Sequence, residues 1–230
     1  HTWKKEPVLW IELAGCHALN YDFIKARQAI GKALQFGQNR VGCFELAANT
    51  MASCEFPDQA IAILQKGRSL HPENTGMQSS LAELLERHHR LDEATELVND
   101  VLKNDPQHAQ ASLIKATLEK RNKQLGQSLE SIARLAKNHE VNEQTRHVLW
   151  KARHLKIRCL DELKQYADAT DAIRETAEFT QQWYAEDVKL CQQSWGHRQQ
   201  AMAAFNQDLN EAQMRAWQQE APRVEQQICF

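Results

Sequence analysis

Residues 57–72 (PDQAIAILQKGRSLHP) and residues 91–106 (LDEATELVNDVLKNDP) align without a gap when residue 57 is placed on residue 91. Each stretch has an alanine at its fourth position, an aliphatic residue four positions later and a proline at its end. In both, apolar residues recur at intervals of three and four, which is the pattern of an amphipathic helix. The sequence therefore predicts a helical unit that repeats at the interval from residue 57 to residue 91.

The same interval extends along the chain in both directions. A small residue recurs at this constant step, as Ala26, Ala60, Ala94 and Ser128. An aliphatic residue follows each of them by four positions, as Ile30, Leu64, Val98 and Ile132. Paired helices need a small residue where their backbones cross, and enlarging it costs about 1–3 kcal/mol. A general helical bundle also buries alanines, but it does not require a fixed step over four units.

These positions resemble the tetratricopeptide repeat (TPR) family, whose unit is a 34-residue helix–turn–helix. The resemblance covers residues 7–183. It implies an all-α, right-handed α-solenoid of about five repeats with a C-terminal capping helix. Four units are expected at residues 7–40, 41–74, 75–108 and 109–142, and a fifth at 150–183. The whole solenoid domain is assigned to residues 1–183.

The fifth unit breaks the period. Ala169 occupies the small position of this unit but lies seven positions later than the step from Ser128 requires, so seven additional residues enter near residues 140–150. We expect them to lengthen the first helix of the unit, which would run from about Asn142 to Leu163. This irregularity lies beside the most basic stretch of the chain.

The C-terminal residues suggest a longer polypeptide. Residues 184–222 are expected to form a helical cap, and residues 223–230 the start of a truncated strand or a tail. Residues 205–217 (FNQDLNEAQMRAW), followed by a linker with Pro222, are similar to a segment of bacterial repeat-containing sulfotransferases. That resemblance implies a catalytic domain beyond Phe230 that uses 3′-phosphoadenosine-5′-phosphosulfate. It assigns no catalytic residue and no cofactor to this chain.

Composition excludes several classes of function. The formal net charge of −2 and the pI near 6.6 do not favour nucleic-acid binding. No apolar run reaches the roughly 18 residues typical of a transmembrane helix, so no membrane association is expected. The six cysteines have no Cys-x-x-Cys or Cys/His ligand spacing, which argues against a metal site and for reduced thiols. We therefore expect a cytoplasmic protein.

The first helix of each TPR unit is expected to line a groove. The alignment predicts an acidic first half and a basic second half, with candidate partner-binding residues Glu45, Asn49, Glu83, Glu86, Lys120, His147, Lys151, His154 and Arg158. Ser79 and Thr117 occupy equivalent groove positions.

The last four candidates form a basic face. His147, Lys151, His154 and Arg158 follow i, i+4, i+7, i+11 spacing and share one side of a helix. Such a face can bind a phosphate, a sulfate, a carboxylate or an acidic peptide. The alternative is that it is solvated, or that it pairs with acidic residues of a neighbouring helix.

The chain contains no recognisable catalytic constellation and no Gly-rich phosphate loop. The carboxylate clamp of chaperone-binding relatives is also missing, because only Asn49 matches it. We therefore predict a non-catalytic module that binds a protein or peptide, with an acidic or anionic segment as the expected ligand. Two alternatives remain open: the substrate-recognition region of a larger enzyme, and a self-associating scaffold that forms a homodimer.

Overall fold

The computed structural model describes residues 5–208, although not every side chain between residues 186 and 208. The described residues form ten helices and no strand, which confirms the predicted all-α class. The helices are α1 (Pro7–Leu19), α2 (Phe23–Gly37), α3 (Val41–Ser53), α4 (Pro57–Leu70), α5 (Thr75–Arg87), α6 (Leu91–Asn104), α7 (Ala109–Arg121), α8 (Leu125–Asn138), α9 (Arg146–Glu162) and α10 (Tyr166–Asp208).

The chain divides into two compact units, His1–Thr176 and Ala177–Phe230. Helix α10 begins in the first unit, and its described part continues as helix to Asp208. The boundary expected at residues 183–184 falls inside this helix, which has no end there. Residues 209–222 of the expected cap and the expected strand at residues 223–230 lie outside the described residues.

Within residues 1–176 the helices pack as consecutive pairs, α1 with α2, α3 with α4, α5 with α6 and α7 with α8. The first helices of successive pairs also contact one another, in the order α1, α3, α5, α7 and α9. Close approach of the first helices places them along the inner face of the solenoid. The expectation of an α-solenoid is therefore confirmed, and the inner face is formed by the odd-numbered helices.

The repeating small residues lie at the centre of this packing. Ala26, Ala60, Ala94 and Ser128 are all buried, with exposed fractions of 1% or less. Ser128 stands where the other units have alanine, and its hydroxyl donates to the Ala116 carbonyl oxygen at 2.8 Å. This bond satisfies a polar group that would otherwise be costly to bury.

The turn between the two helices of each unit has a residue with positive φ. Five residues occupy this position with φ from 58° to 63°: Tyr21, Glu55, His89, Lys123 and Lys164. In each turn the amide of this residue donates to the carbonyl three positions back, and the next amide donates five positions back. These two bonds define a Schellman motif, in which glycine is the usual residue. The positive-φ residues of the first four turns are separated by the same interval as the small residues. The fifth, Lys164, lies seven positions beyond the place that this interval predicts, as Ala169 does.

The starts of the first helices show where the additional seven residues lie. The Asn74 side chain caps α5 by accepting from Met77 N at 2.7 Å, and His108 Nδ1 caps α7 by accepting from Ala111 N at 3.3 Å. Asn142, at the same phase, accepts from the amides of residues 144 and 145. The interval from this cap to the turn is the same in units three and four but seven positions longer in unit five.

The additional residues therefore belong to the first helix of the fifth unit. Seven residues amount to about two helical turns, or roughly 10 Å, and so they preserve the face that each side chain occupies. The segment begins as a capped turn at residues 142–145 and continues as α9, which starts at Arg146 rather than at residue 142. Its basic face consequently keeps the orientation of the other first helices.

The cysteines with described side chains are free. Cys43 and Cys159 are buried and Cys54 is partly buried, but Cys16 is exposed. Cys16 is exposed because it lies on a side of α1 that no described helix covers.

Candidate functional site

Helices α5, α7 and α9 line a groove with two adjoining cavities. The first, here called the groove cavity, measures about 280 Å³, and its polar lining comes from Glu83, Glu86, Gln110, Thr117, Trp150, Lys151, His154 and Arg158. The second, called the turn cavity, measures about 540 Å³ and lies toward the turns of units three and four. The two cavities share Glu86, Thr117, Leu155 and Arg158.

Glu83 on α5 joins the three helices at the wall of the groove cavity. Its Oε1 lies 2.9 Å from the Lys151 ammonium of α9, and its Oε2 accepts from the Gln110 amide of α7 at 2.7 Å. Both oxygens of this carboxylate are therefore engaged within the chain. Lys151, a predicted ligand-binding cation, is neutralised by the same contact.

Glu86 is the most buried carboxylate of the groove, with an exposed fraction of 6%. The Arg121 guanidinium of α7 donates to its Oε1, and Arg121 Nη1 also lies 3.4 Å from His89 Nδ1. A buried carboxylate is tolerated only with such a partner, because desolvation otherwise penalises the charge. Glu86 therefore contributes to the groove as half of a structural ion pair.

Glu162, near the end of α9, binds the two lysines of the turn cavity. Lys120 donates to its Oε1, and Lys123 Nζ lies 3.4 Å from its Oε2. The hydrogen bond from Lys120 lowers the pKa of Glu162 below its ordinary value, so this carboxylate remains ionised. The predicted cation Lys120 is thus also engaged within the chain.

An aromatic cluster occupies the groove face of α9. The Trp150 ring lies 4.2 Å from the His154 ring in an edge arrangement and 6.1 Å from the His147 ring in a stacked one. Trp150 lines the groove cavity but was missed among the sequence candidates. The sequence feature that indicates Trp150 is the spacing of residues 147, 150 and 154, because this spacing places the three rings on one face of a helix.

Arg158 differs from the other groove cations. It is exposed and lines both cavities, yet it has no carboxylate partner among the residues that the structure describes. The remaining lining cations are paired with Glu83, Glu86 or Glu162. Arg158 is therefore the groove cation that lacks a carboxylate partner among the described residues, while Lys120 and Lys123 share Glu162.

The structure brings together six of the predicted site residues, namely Glu83, Glu86, Lys120, Lys151, His154 and Arg158. His147 lies on the same helix and contributes through its contact with Trp150. Glu45 and Asn49 lie on α3 and line neither cavity, and burial raises the pKa of Glu45.

Two expectations about the groove require correction. The predicted acidic and basic halves are not separate charged surfaces, because Glu83 of unit three binds Lys151 of unit five. Ser79 is not an open groove position, since it is buried and donates to the Gly76 carbonyl oxygen of its own helix.

Two further kinds of feature are missing from the described part of the chain. Between residues 5 and 208, His, Cys, Asp and Glu side chains form no group of three or more that could hold a metal ion. Over the same residues, no helix combines the length and the apolar composition that crossing a membrane requires.

Comparison with known proteins agrees with this fold. The family model described as tetratricopeptide repeat matches residues 57–118, which run from the start of α4 into α7. No curated protein sequence matches the chain.

Several solved structures are similar in fold. MamA from Desulfovibrio magneticus RS-1 is 12% identical with a TM-score of 0.55, and the match covers 76% of this chain and 95% of that one. The putative kinesin light chain of Podosopora anserina, with nearly identical TPR-like repeats, is 14% identical with a TM-score of 0.55 and coverages of 74% and 92%. A chain of the APC/C hetero-tetramer Cut9–Hcn1 is 14% identical with a TM-score of 0.60 and coverages of 76% and 34%.

The chain thus carries tetratricopeptide repeats and folds as a solenoid of the TPR class. Because the sequence identities are this low, the similarity to these structures is limited to the fold. The resemblance to sulfotransferases stays a prediction, because residues 209–230, with the end of the similar helix and the expected strand, lie outside the described residues. Self-association and a cytoplasmic location also stay predictions.

Proposed function

We propose that this chain is a protein-interaction module that binds an acidic segment of a partner protein in the groove of α5, α7 and α9. The observation that carries the proposal is the uncompensated Arg158 guanidinium in the same cavity as the Trp150 ring cluster. A chain of similar fold assembles with a second protein in the Cut9–Hcn1 hetero-tetramer, which supports the general class.

Charge favours an acidic ligand. Five cationic side chains line the two cavities or their rim, namely Lys120, Arg121, Lys123, Lys151 and Arg158, and they face three carboxylates. The internal ion pairs leave an excess of two positive charges. An arginine without a partner offers a bidentate site for a carboxylate, which is the geometry that guanidinium groups prefer.

The Trp150 cluster supplies the apolar part of the site. Tryptophan and arginine are the residue types most often found to dominate protein interfaces, because they combine a large contact area with a polar group. Here both lie on α9, eight residues and about two helical turns apart. We infer that the bound segment combines an acidic side chain with an apolar or aromatic one.

The dimensions of the groove suit a segment of chain. Packed helices are about 8–10 Å apart, so the distance from α5 across α7 to α9 is roughly 16–20 Å. An extended peptide spans about 3.3 Å per residue, so five or six residues cross the groove.

No catalytic step is proposed: the Thr117 hydroxyl, which lines both cavities, donates to the Leu113 carbonyl oxygen of its own helix at 3.0 Å.

The test uses a defined probe. A fluorescein-labelled decapeptide of alternating Glu and Leu, with one Phe, is titrated with the protein and followed by fluorescence anisotropy at 50 mM salt. Its matched counterpart has Gln in place of each Glu. We expect the acidic peptide to bind at least tenfold more tightly and to lose affinity at 300 mM salt.

The key variant is Arg158→Glu, which reverses the uncompensated charge without breaking an internal ion pair. Lys66→Glu, on the exposed face of α4, is the matched control because it changes net charge equally outside the groove. Arg158→Glu should weaken acidic-peptide binding at least tenfold, and Lys66→Glu by less than twofold. Equal affinity for the two peptides, or equal effects of the two variants, would refute the proposal.

A further inference from the structure

A third polar cavity lies on the outer side of the solenoid, where α6 and α8 flank α7. It measures about 260 Å³. Its apolar lining comes from Leu102, Pro106 and the buried Leu135. Its polar lining comes from Gln107, Ser112, Lys115, Ser131, Arg134, Asn138 and His139. The cavity shares no lining residue with the groove and is independent of the proposed function.

The lining of this outer cavity is basic. Lys115 of α7 and Arg134 of α8 carry positive charges, His139 adds an imidazole, and none of the lining residues is acidic. Neither Lys115 nor Arg134 has a carboxylate partner among the described residues. Arg134 Nη2 donates to the Ser131 hydroxyl at 3.3 Å, which orients the guanidinium at the cavity wall.

The repeat shows that the outer cavity is particular to this place in the chain. One unit earlier, the positions of Lys115 and Ser131 are occupied by Leu81 and Leu97, both buried. The position of Arg134 is occupied there by an acidic residue, Asp100. In unit three, the two buried leucines fill the corresponding space with apolar side chains. In unit four, Lys115 and Ser131 occupy these positions, and an open cavity lined by cations results.

We propose that the outer cavity binds a phosphate- or sulfate-type dianion, free or carried by a small molecule. Two unpaired cations match a dianion, and arginine beside hydroxyl and carboxamide groups supplies directed donors for its oxygens. The volume lies just below the range of pockets that hold drug-sized ligands. It suits a single oxyanion with a small attached group.

The test measures binding of inorganic phosphate to the whole protein by isothermal titration calorimetry, with chloride adjusted to constant ionic strength. Variants Lys115→Gln and Arg134→Gln remove the two charges, and Lys137→Gln removes an exposed charge of α8 that does not line the cavity. We expect saturable binding that weakens at least tenfold in the first two variants and less than twofold in the control. Absence of saturable binding, or an equal loss in all three variants, overturns the proposal.

A second measurement does not depend on the variants. Phosphate added to the isotope-labelled wild-type protein should shift the backbone amide resonances of Ser112, Ser131 and Arg134. Shifts confined to other residues overturn the proposal. Parallel titrations with sulfate and O-phosphoserine distinguish the sources: equal affinities indicate a free oxyanion, whereas tighter binding of O-phosphoserine indicates a group attached to a small molecule.

Discussion

The Lys151 ammonium lies 2.9 Å from the Glu83 carboxylate, although the two residues are 68 positions apart and belong to units three and five. The contact crosses α7, whose Gln110 donates to the other oxygen of Glu83 at 2.7 Å. Three successive first helices are thereby connected through one carboxylate. Because the Glu83 carboxylate neutralises Lys151, Arg158 is the groove cation that we propose to bind an acidic ligand.

A charge reversal tests this contact. Lys151→Glu places two carboxylates together and should lower the free energy of unfolding by about 1–2 kcal/mol, more than Lys151→Gln, since a partly exposed ion pair contributes about 1 kcal/mol or less. The double variant Glu83→Lys/Lys151→Glu restores opposite charges and should recover at least half of the loss. Urea unfolding at low and high salt measures both effects. A double variant whose loss equals the sum of the single losses would show that the two groups do not interact.

Much of the fold could be predicted from the sequence because its cause is local. Close packing of paired helices demands a small residue once per unit, so Ala26, Ala60 and Ala94 are visible in the sequence and buried in the structure. The turns were less visible, because Glu55 and its equivalents are not glycine and only their common phase indicates a left-handed residue.

The candidate site was only partly predictable, because it depends on contacts between units. Spacing on one helix indicated the basic face of α9, and six predicted residues do meet in the groove. The pairing of Glu83 with Lys151 depends on how far the solenoid curves between units three and five, which periodicity does not encode. The spacing of the basic residues on α9 does not by itself indicate a role for Trp150.

Gly67 of α4 lies close to Phe44 of α3 and Met77 of α5. A Cβ atom at this position would lie 2.5 Å from Met77 Sδ and 2.9 Å from Phe44 Cγ, and the Phe44 ring is fully buried. Gly67→Ala should therefore lower the free energy of unfolding by about 1–2 kcal/mol, because overpacking outweighs the better helix propensity of alanine. Thermal and urea unfolding followed by circular dichroism measure the change.

Gly31→Ala is the matched control, since Gly31 lies inside α2 with no atom near its added Cβ. This variant should raise the free energy of unfolding by about 0.5–1 kcal/mol through helix propensity alone. If both variants are stabilised alike, the packing at Gly67 is looser than the structure indicates.

The turn at Glu55 offers a stabilising substitution. Its φ of 63° is unfavourable for a residue with a side chain, at a cost of roughly 1–2 kcal/mol. Glu55→Gly should raise the free energy of unfolding by about 0.5–1 kcal/mol after the greater freedom of glycine in the unfolded chain is subtracted. Glu55→Ala removes the same carboxylate but retains the strain, and it should give no gain in the same unfolding experiment. Equal stability of the two variants would exclude relief of strain.

His108 makes the start of α7 sensitive to pH. Its Nδ1 accepts from Ala111 N at 3.3 Å, so the cap requires an unprotonated Nδ1. Burial lowers the pKa of this imidazole below its ordinary value of 6.5, and the nearby His139 lowers it further, against an opposing effect of Asp105. The unfolded chain therefore binds a proton at a higher pH than the folded chain does. It follows that stability rises with pH in this interval.

We predict that the stabilisation from this cap is complete above about pH 7 and is lost as the pH falls from about 6.5 through the lower pKa of the folded state. His108→Asn reproduces the Asn74 cap of the preceding unit without a titrating group. Unfolding free energies measured from pH 5 to pH 7.5 should depend less on pH in this variant than in the wild type. His88→Asn, which makes the same replacement at an exposed histidine at the end of α5, is the matched control. A His108→Asn curve parallel to that of the wild type would contradict the assignment, because other groups would then cause the pH dependence.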